Sequence, residues 1–250
     1  IYSKSKMFAI SFVVPCYNAE AFILKNIIQL RKKITSLKLT YEIILIDDGS
    51  QDDTHTILKE IKKKYRFVNL IKNKKNTGKS YSILKGIKKS KYDNIIMIDC
   101  DLPYFQSLDK IVYFLKKNID LVIINRKLKE SKLANKKLNL YQVVRFCLGA
   151  IITFINKKLL NLDIEGGDTQ AGLKGFKKNK YLKKNKFIST KFFFDLELIH
   201  LYSKKKLKIV SVKTIFNVPK KSSIKIFDPI KNYYILRELI KVLFFYTKAN

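Results

Sequence analysis

The feature that constrains this chain most is a repeated alternation between short apolar runs and longer segments with helical periodicity. The runs Ile10–Pro15 and Tyr41–Ile46 are rich in β-branched and aromatic residues and do not alternate strictly between polar and apolar positions. Such runs are typical of strands in a parallel sheet that is covered on both faces. Between them, Ala21–Leu37 carries apolar residues at helical spacing. The three segments therefore predict a βαβ unit.

The same alternation continues to about residue 125. Further strands are predicted at Phe67–Lys72, Asn94–Ile98 and Asp120–Asn125, and further helices at Thr54–Lys64, Ser80–Lys89 and Ser107–Lys117. This order predicts an α/β fold of the Rossmann-like type, with a mostly parallel sheet and helices on both faces. In such folds ligands bind beyond the carboxyl ends of the strands, which directs attention to the residues that follow each apolar run.

The second half of the chain differs in composition from the first and contains lysine-rich amphipathic segments. It predicts an apolar helix at Tyr141–Leu160, a helix at Phe193–Leu201, a strand at Lys208–Phe216 and an amphipathic terminal helix at Tyr233–Tyr246. No linker rich in Pro, Gly or Ser separates the halves, so a single domain is expected. We place this domain at residues 8–232 and the terminal helix at residues 233–250.

The chain is strongly basic, with 52 Lys and Arg against 20 Asp and Glu, a formal net charge of +32. A hydrophobic share of 47% excludes a wholly disordered polybasic chain. Lys greatly outnumbers Arg, and Ile and Asn are also abundant, so a genome rich in A+T explains much of the surplus. The charge favours an anionic partner but leaves nucleic acid, an anionic membrane surface and phosphorylated substrates open.

The cysteines and the hydropathy pattern bear on the compartment. Cys16, Cys100 and Cys147 show neither CxxC spacing nor a histidine at metal-ligand distance, so we expect free thiols in a reducing environment. The first nine residues do not resemble a signal peptide, and the longest uncharged apolar run, Phe146–Ile155, is much shorter than the ~20 residues that span a bilayer. The expectation is a cytoplasmic chain without a membrane-spanning segment.

Acidic residues follow two of the predicted strands. Asp47 and Asp48 come directly after the second strand, and Asp99 and Asp101 come directly after the fourth. Paired carboxylates at a strand end can hold Mg²⁺ or Mn²⁺, and substrate phosphates usually complete the coordination of such ions. The sequence therefore predicts that Asp99 and Asp101 bind a divalent metal.

The segment Asn76–Ser80 looks like the end of a phosphate-binding P-loop, but the glycine that this motif requires five residues earlier is absent, because Asn73 occupies its place. We therefore exclude a nucleotide triphosphatase. Gly78 and the helix that follows it still offer a helix N-terminus and the ammonium group of Lys79 to a phosphate.

Five motifs resemble, in order and spacing, those of the inverting nucleotide-sugar glycosyltransferases with a GT-A fold. They are VVPCYNAE at 13–20, ILIDDGSQD at 44–52, NTGK at 76–79, Gly86-Ile87 and MIDCDL at 97–102. Asn125-Arg126, Arg145, DTQAGLKGF at 168–176 and FDLEL at 194–198 narrow the resemblance to dolichyl- and polyprenyl-phosphate hexosyltransferases. Among these the chain is most similar to the dolichyl-phosphate glucosyltransferases, followed by the mannose synthases. The resemblance covers about residues 8–246.

The resemblance implies a role for individual residues. Donor-binding positions are Pro15, Tyr17, Glu20, Asp48 and Lys79, together with the metal-binding pair Asp99 and Asp101. Positions that receive the lipid phosphate are Arg126 and Arg145, and the same region is lined by Asp168, Gln170, Asp195 and Glu197. The residues that the resemblance implies to be catalytic are Asp99, Asp101, Arg126, Arg145 and Asp168.

The implied reaction is the transfer of a hexose, with inversion, from a nucleotide diphosphate sugar to a polyprenyl or dolichyl phosphate. The donor would be of the UDP-glucose or GDP-mannose type, the cofactor Mg²⁺ or Mn²⁺, and the location the cytoplasmic face of a membrane. One alternative is a glycosyltransferase of the same fold that acts on a hydroxyl of a cell-surface glycan, and it would need a general base, for which Asp195 and Glu197 are the candidates.

A second alternative, from a different class, is a basic nucleic-acid-binding protein. The chain carries no recognisable binding motif of that kind, and such a function leaves the acidic strand ends unexplained. We therefore expect no nucleic-acid partner.

The terminal helix allows two interpretations. Helical spacing gathers six apolar residues on one face: Ile235, Leu236, Leu239, Val242, Leu243 and Tyr246. That face either packs on the sheet or lies in a membrane interface, and the water-insoluble acceptor that the resemblance implies favours the interface.

Overall fold

The computed structural model describes residues 8–134, 168–216 and 229–248, together with positions 143, 149, 153, 160, 162 and 164. Up to residue 124, strands and helices alternate as predicted: β1 (Ala9–Cys16), α1 (Ile23–Ser36), β2 (Thr40–Asp47), α2 (Thr54–Lys64), β3 (Val68–Lys72), α3 (Lys79–Lys89), β4 (Asn94–Ile98), α4 (Leu108–Lys116) and β5 (Leu121–Ile124). Beyond them lie β6 (Lys132–Leu133), β7 (Leu173–Lys177), α5 (Lys180–Lys184), α6 (Phe194–Lys204), β8 (Ile209–Val212), β9 (Ile215–Phe216) and α7 (Pro229–Lys248).

Seven of the strands in the described residues form one mostly parallel sheet in the order β3-β2-β1-β4-β7-β5-β8. The first four strands in chain order pair in parallel, so their carboxyl ends lie at one edge. The exception is β7, which is antiparallel to both of its neighbours, β4 and β5. Two short strands, β6 and β9, form a separate parallel pair. The predicted α/β fold with a mostly parallel sheet is confirmed.

The core lies on both faces of this sheet. Val13 and Val14 point to opposite faces, and each has 0% of its surface exposed. Val14 packs in a cluster with α1, α2 and α4, whereas Val13 packs in a cluster with α3, α6 and α7. Because helices cover both faces, the strands carry continuous apolar runs rather than an alternating pattern.

The terminal helix packs on the second face of the sheet. Leu239, Val242, Leu243 and Tyr246 are buried in that core cluster, and Ile235 is half-buried beside it. Of the six predicted residues only Leu236 is exposed, so the predicted apolar face packs against the protein, and its expected placement in a membrane interface is wrong. The helix begins at Pro229, and the predicted boundary at residue 232 therefore falls within its first turn. Within the described part of the chain, no helix has the length and apolar content required to cross a bilayer.

The second half shows the larger differences from prediction. The strand expected at Lys208–Phe216 is divided between two sheets, because β8 joins the large sheet and β9 pairs with β6. Strand β7 was not predicted at all, although it occupies a central position. The apolar helix predicted at Tyr141–Leu160 lies largely outside the described residues.

Candidate active site

Three residues that the sequence assigned to the donor lie together at the carboxyl end of β1. Pro15 pairs with Ile46 of β2, and the Tyr17 side chain is 42% exposed. The Glu20 carboxylate accepts a hydrogen bond from the Asp53 N–H at 2.8 Å, which joins the loop after β1 to the loop before α2. The structure therefore brings Pro15, Tyr17 and Glu20 to one edge of the sheet, and their contact with a nucleotide stays a prediction.

Asp48 is buried and holds the loop between β3 and α3. One carboxylate oxygen accepts hydrogen bonds from the Thr77 N–H at 3.0 Å, the Thr77 hydroxyl at 2.6 Å and the Asn73 amide at 2.8 Å. The other oxygen accepts from the Gly78 N–H at 2.8 Å. The loop approaches closely here, because a Cβ atom at Gly49 would lie 2.4 Å from its backbone. Both oxygens of Asp48 thus fix the loop that precedes Lys79.

Lys79 and Asp99 form an ion pair at the centre of this edge. The Lys79 Nζ lies 2.7 Å from one carboxylate oxygen of Asp99 and 2.9 Å from the other. Burial by itself lowers the pKa of Lys79, but the negative charges of Asp99 and Asp195 outweigh burial and raise the pKa above its usual value. Lys79 therefore stays a cation in this site, where a diphosphate would be favoured.

Asp99 and Asp101 fit the predicted metal pair. Asp101 is exposed beside the half-buried Asp99, and both groups supply the oxygen ligands that Mg²⁺ and Mn²⁺ prefer. Gly172 leaves room for Asp99, because a Cβ atom at this glycine would lie 2.1 Å from a carboxylate oxygen of Asp99. The residues described here contain no cluster of three or more His, Cys, Asp or Glu side chains that would hold a metal by themselves. Mg²⁺ is usually bound in this way, by one or two protein carboxylates, with substrate phosphates completing its coordination.

Arg126 forms a bidentate ion pair with Asp168. Its Nε and Nη2 atoms each lie 2.8 Å from a carboxylate oxygen of Asp168, and the Arg126 N–H donates to the same carboxylate at 2.8 Å. Burial by itself raises the pKa of Asp168, but the hydrogen bonds and charge of Arg126 outweigh burial and hold the pKa below its usual value. Such a fork fixes the plane of the guanidinium group.

The third nitrogen of Arg126 points toward Tyr104. The distance from Nη1 to the Tyr104 hydroxyl is 3.4 Å, and the Arg126 side chain is 30% exposed. Tyr104 adopts a left-handed backbone conformation with φ 59° in the turn that follows Asp101. Strained positions of this kind concentrate at functional sites. Tyr104 was missed in the sequence, where an aromatic residue after a Pro carries no local signal of its own.

Two further residues, Gln170 and Arg145, were predicted to lie on the acceptor side. Gln170 lies close to the ion pair of Arg126, because its backbone N–H approaches the Asp168 carboxylate at 3.3 Å. Arg145 lies outside the described residues, so its predicted role stays a prediction.

Asp195 is buried and paired with a lysine that the sequence analysis did not single out. Its carboxylate lies 2.6 Å from the Nζ of Lys174, and that ammonium group also donates to the carbonyl oxygen of Ala171 at 2.6 Å. Lys174 is 0% exposed and Asp195 is 2% exposed. No local signal in the sequence distinguishes Lys174, because a lysine in a strand is typical of an exposed edge.

Glu197 is also buried and engaged. Its two carboxylate oxygens accept hydrogen bonds from the backbone N–H groups of Ile188 and Ser189 at 2.9 and 3.1 Å. Burial raises the pKa of Glu197, although these hydrogen bonds act in the opposite direction. Glu197 therefore holds the loop that precedes α6.

The chain matches the sequence model of the family "Glycosyl transferase family 2" over residues 11–192. It is 25% identical over 259 aligned residues to a dolichyl-phosphate beta-glucosyltransferase of Trichomonas vaginalis, covering 98% of this chain and 76% of that protein. It is 30% identical over 129 aligned residues to a dolichol-phosphate mannosyltransferase of Pyrococcus furiosus, covering 50% of this chain and 35% of that protein.

Two solved structures illustrate the similarity in fold. Glucosyl-3-phosphoglycerate synthase of Mycobacterium tuberculosis, solved with Mn²⁺, uridine diphosphate and phosphoglyceric acid, has a TM-score of 0.65 at 18% identity, over 96% of this chain and 80% of the other. TarS of Staphylococcus aureus, solved with UDP-GlcNAc, has a TM-score of 0.57 at 16% identity, over 93% of this chain and 65% of the other. At these identities the likeness concerns the fold.

The family match covers both the parallel half of the sheet and the acidic strand ends, and the surrounding fold is the one that glycosyltransferases of known structure share. The chain therefore belongs to glycosyl transferase family 2, and it is a glycosyltransferase with a GT-A fold.

Proposed function

We propose that this glycosyltransferase transfers a hexose from a nucleotide diphosphate sugar to a polyprenyl or dolichyl phosphate, with inversion at the anomeric carbon. Such a reaction requires a donor with its metal, an acceptor and access to a membrane surface. The choice of acceptor depends on one observation. Both candidate general bases, Asp195 and Glu197, are buried and already bound to other groups of the protein.

The donor part rests on the edge that Lys79, Asp99 and Asp101 form. Asp99 and Asp101 would hold a Mg²⁺ or Mn²⁺ ion, which would neutralise charge on the departing nucleoside diphosphate. The acidic neighbours of Lys79 raise its pKa, so its ammonium group stays charged and would bind the same diphosphate. The loop that Asp48 fixes sets the position of Lys79, and Pro15, Tyr17 and Glu20 would contact the nucleoside. The related fold of the mycobacterial synthase was solved with Mn²⁺ and uridine diphosphate, which supports this assignment.

The acceptor part follows from what a hydroxyl and a phosphate each require. A hydroxyl needs a general base within hydrogen-bond reach. Asp195 is paired with Lys174 at 2.6 Å, and Glu197 accepts two backbone hydrogen bonds, so neither carboxylate is available without disruption of the core. A lipid phosphate has a second pKa near ~6 and is largely dianionic at neutral pH, so it is a nucleophile without a base. The geometry therefore favours the phosphate over the glycan hydroxyl.

Arg126 would orient that phosphate. Asp168 holds two of its guanidinium nitrogens, and the third, Nη1, which lies 3.4 Å from the Tyr104 hydroxyl, would bind the phosphate. A phosphate oxygen attacks the anomeric carbon, the bond from that carbon to the nucleoside diphosphate breaks, and the configuration inverts. Positioning and charge neutralisation account for the catalysis, since no proton has to be removed from the nucleophile.

The membrane part rests on the terminal helix. Tyr233, Leu236, Ile240 and Phe244, which we call the outer stripe, lie on one side of α7 and are each at least half exposed. Helical geometry places the exposed Arg237, Lys241 and Lys248 beside this stripe. An apolar stripe with adjacent basic residues suits the interface of an anionic membrane, where each Lys or Arg contributes about 1 kcal/mol. The stripe supports attachment to a membrane surface, and the proposed location is the cytoplasmic face, where the protein would meet the lipid phosphate.

The experiment that tests the proposal offers the protein a panel of UDP- and GDP-sugars with a short polyprenyl phosphate and Mn²⁺, and identifies the product lipid by mass spectrometry. Arg126→Ala should lower the use of the lipid phosphate at least ~100-fold while the affinity for the nucleotide, measured by calorimetry, stays within about twofold. Arg66→Ala, at an exposed arginine, is the matched control. Transfer to a glycan hydroxyl, with no product from the lipid phosphate, would refute the proposed acceptor.

A further inference from the structure

The loop between α5 and α6 caps the N-terminus of α3. The Ser80 N–H donates to the carbonyl oxygen of Lys191 at 3.0 Å, and the Tyr81 N–H donates to the carbonyl oxygen of Thr190 at 3.0 Å. These groups belong to the first turn of α3, where the N–H groups have no partner inside the helix. Residues 188–193, which we call the capping loop, therefore supply the cap from a distant part of the chain.

The contact between the capping loop and α3 is close. A Cβ atom at Gly78 would lie 2.5 Å from the Thr190 carbonyl oxygen and 2.8 Å from the Lys191 Cα. In addition, the Ser80 and Ser189 hydroxyls lie 2.9 Å apart, and the Phe194 N–H donates to the Ser80 hydroxyl at 3.1 Å. A displacement of the capping loop would therefore move the start of α3.

A carboxylate of the terminal helix holds this loop in place. One oxygen of Glu238 accepts hydrogen bonds from the N–H groups of Thr190 and Lys191, each at 2.8 Å. The other oxygen accepts from the Phe192 N–H at 3.2 Å, and the Ser189 hydroxyl lies 3.2 Å from the first. Three successive backbone N–H groups thus point at a single side chain that is 48 residues away in the sequence.

These contacts form a continuous path from the terminal helix to the donor side of the site. Glu238 holds the capping loop, the capping loop holds Ser80 and Tyr81, and the adjacent Lys79 forms the ion pair with Asp99 at 2.7 Å. We propose that Glu238 is a positioning residue that sets the place of the Lys79 ammonium group for the donor diphosphate. The inference rests on the proposed function for the identity of that ligand.

Two substitutions separate positioning from simple packing. Glu238→Ala removes all the contacts to the capping loop. Glu238→Gln keeps the size of the side chain but leaves one acceptor oxygen in place of two, so it should retain part of the effect. Glu60→Gln is the matched control, because Glu60 is an exposed carboxylate whose ion-pair partner is the exposed Lys63.

Two measurements on the full chain follow the path. Hydrogen exchange of the Ser80 and Tyr81 amides should become roughly tenfold faster in Glu238→Ala and increase less in Glu238→Gln. The affinity for UDP or GDP with Mn²⁺, measured by calorimetry, should fall about 5- to 50-fold in the same order, while the KM for the polyprenyl phosphate stays unchanged. Glu60→Gln should match the wild type in both.

Unchanged exchange at Ser80 and Tyr81 together with unchanged nucleotide affinity in Glu238→Ala would overturn the inference. Faster exchange throughout the sheet, with equal losses toward both substrates, would also overturn it, because Glu238 would then support only the fold. If Glu238→Ala does not fold, Glu238→Gln decides between these outcomes. If the wild type binds neither nucleotide, the proposed function fails, and the exchange measurement still tests the link from Glu238 to α3.

Discussion

Substitution of Gly172 by Ala is expected to damage the site with little effect on the fold. A Cβ atom at this position would lie 2.1 Å from a carboxylate oxygen of Asp99 and 2.7 Å from its Cγ. Ordinary contacts begin at 3.4 Å, so the carboxylate would have to move by at least about 1.3 Å. The next neighbour, a side-chain carbon of Pro103, lies at 3.2 Å and requires only a small adjustment.

The expected loss follows from that displacement. A shift of about 1 Å in a group that positions the reacting atoms costs roughly 100-fold in rate. We therefore expect Gly172→Ala to lower kcat/KM at least ~100-fold and to weaken Mn²⁺-dependent nucleotide binding. The free energy of unfolding should change by no more than ~1 kcal/mol, because the displaced atoms are the end of a half-exposed side chain.

The assay combines steady-state transfer to a polyprenyl phosphate, calorimetry with UDP or GDP and Mn²⁺, and unfolding in urea. The matched control is Gly149→Ala, since a Cβ atom at Gly149 would meet nothing within 4 Å. Wild-type kcat/KM and metal dependence in Gly172→Ala would show that Asp99 does not hold the metal in the proposed place. A large loss of stability would show that the glycine serves the fold instead.

Three further predictions concern the core, acid stability and the membrane surface. Lys174→Met leaves the buried Asp195 unpaired and should lower the free energy of unfolding, measured in urea, by about 3–5 kcal/mol. Adding Asp195→Leu to this variant should restore most of the lost stability. A loss below ~1 kcal/mol in Lys174→Met would contradict the buried pair. Burial lowers the pKa of His200, so the unfolded chain takes up a proton more readily than the folded one. Stability should therefore be lost as the pH falls below ~6.5. His200→Phe should reduce this loss, and an unchanged pH profile would exclude His200 as its source. Replacing both Ile240 and Phe244 by Glu should reduce flotation with anionic vesicles while the circular dichroism melt is preserved, and undiminished flotation would place the membrane contact elsewhere.

The first half of the chain was predictable because its signals are local. Strand β1 spans Ala9–Cys16 against the predicted Ile10–Pro15, and helix α2 spans Thr54–Lys64 as predicted. Burial on both faces produces uninterrupted apolar runs, and packing on one face produces helical periodicity, so each segment carries its own pattern. The acidic strand ends, to which we assign the donor, were visible for the same reason.

Strand β7 was not predictable in this way. The segment Leu173–Lys177 contains a glycine and two lysines, and it is a strand because β4 and β5 both pair with it. The position of Lys174 inside the core depends on Asp195, which lies 21 residues further along the chain. A charge in a strand is typical of an exposed edge, and only the tertiary contact shows that this one is buried.

The sequence by itself therefore determined the fold class, the carboxylate pair Asp99 and Asp101, and the cationic Lys79 and Arg126, because short motifs at the strand ends encode them. The tertiary structure decided which of the charged groups are available to a substrate. It placed Asp195 and Glu197 in the interior, paired Asp168 with Arg126, and connected Glu238 to the start of α3. The physical reason is that hydrogen bonds and ion pairs in a packed core join residues far apart in the chain, and no local pattern records them.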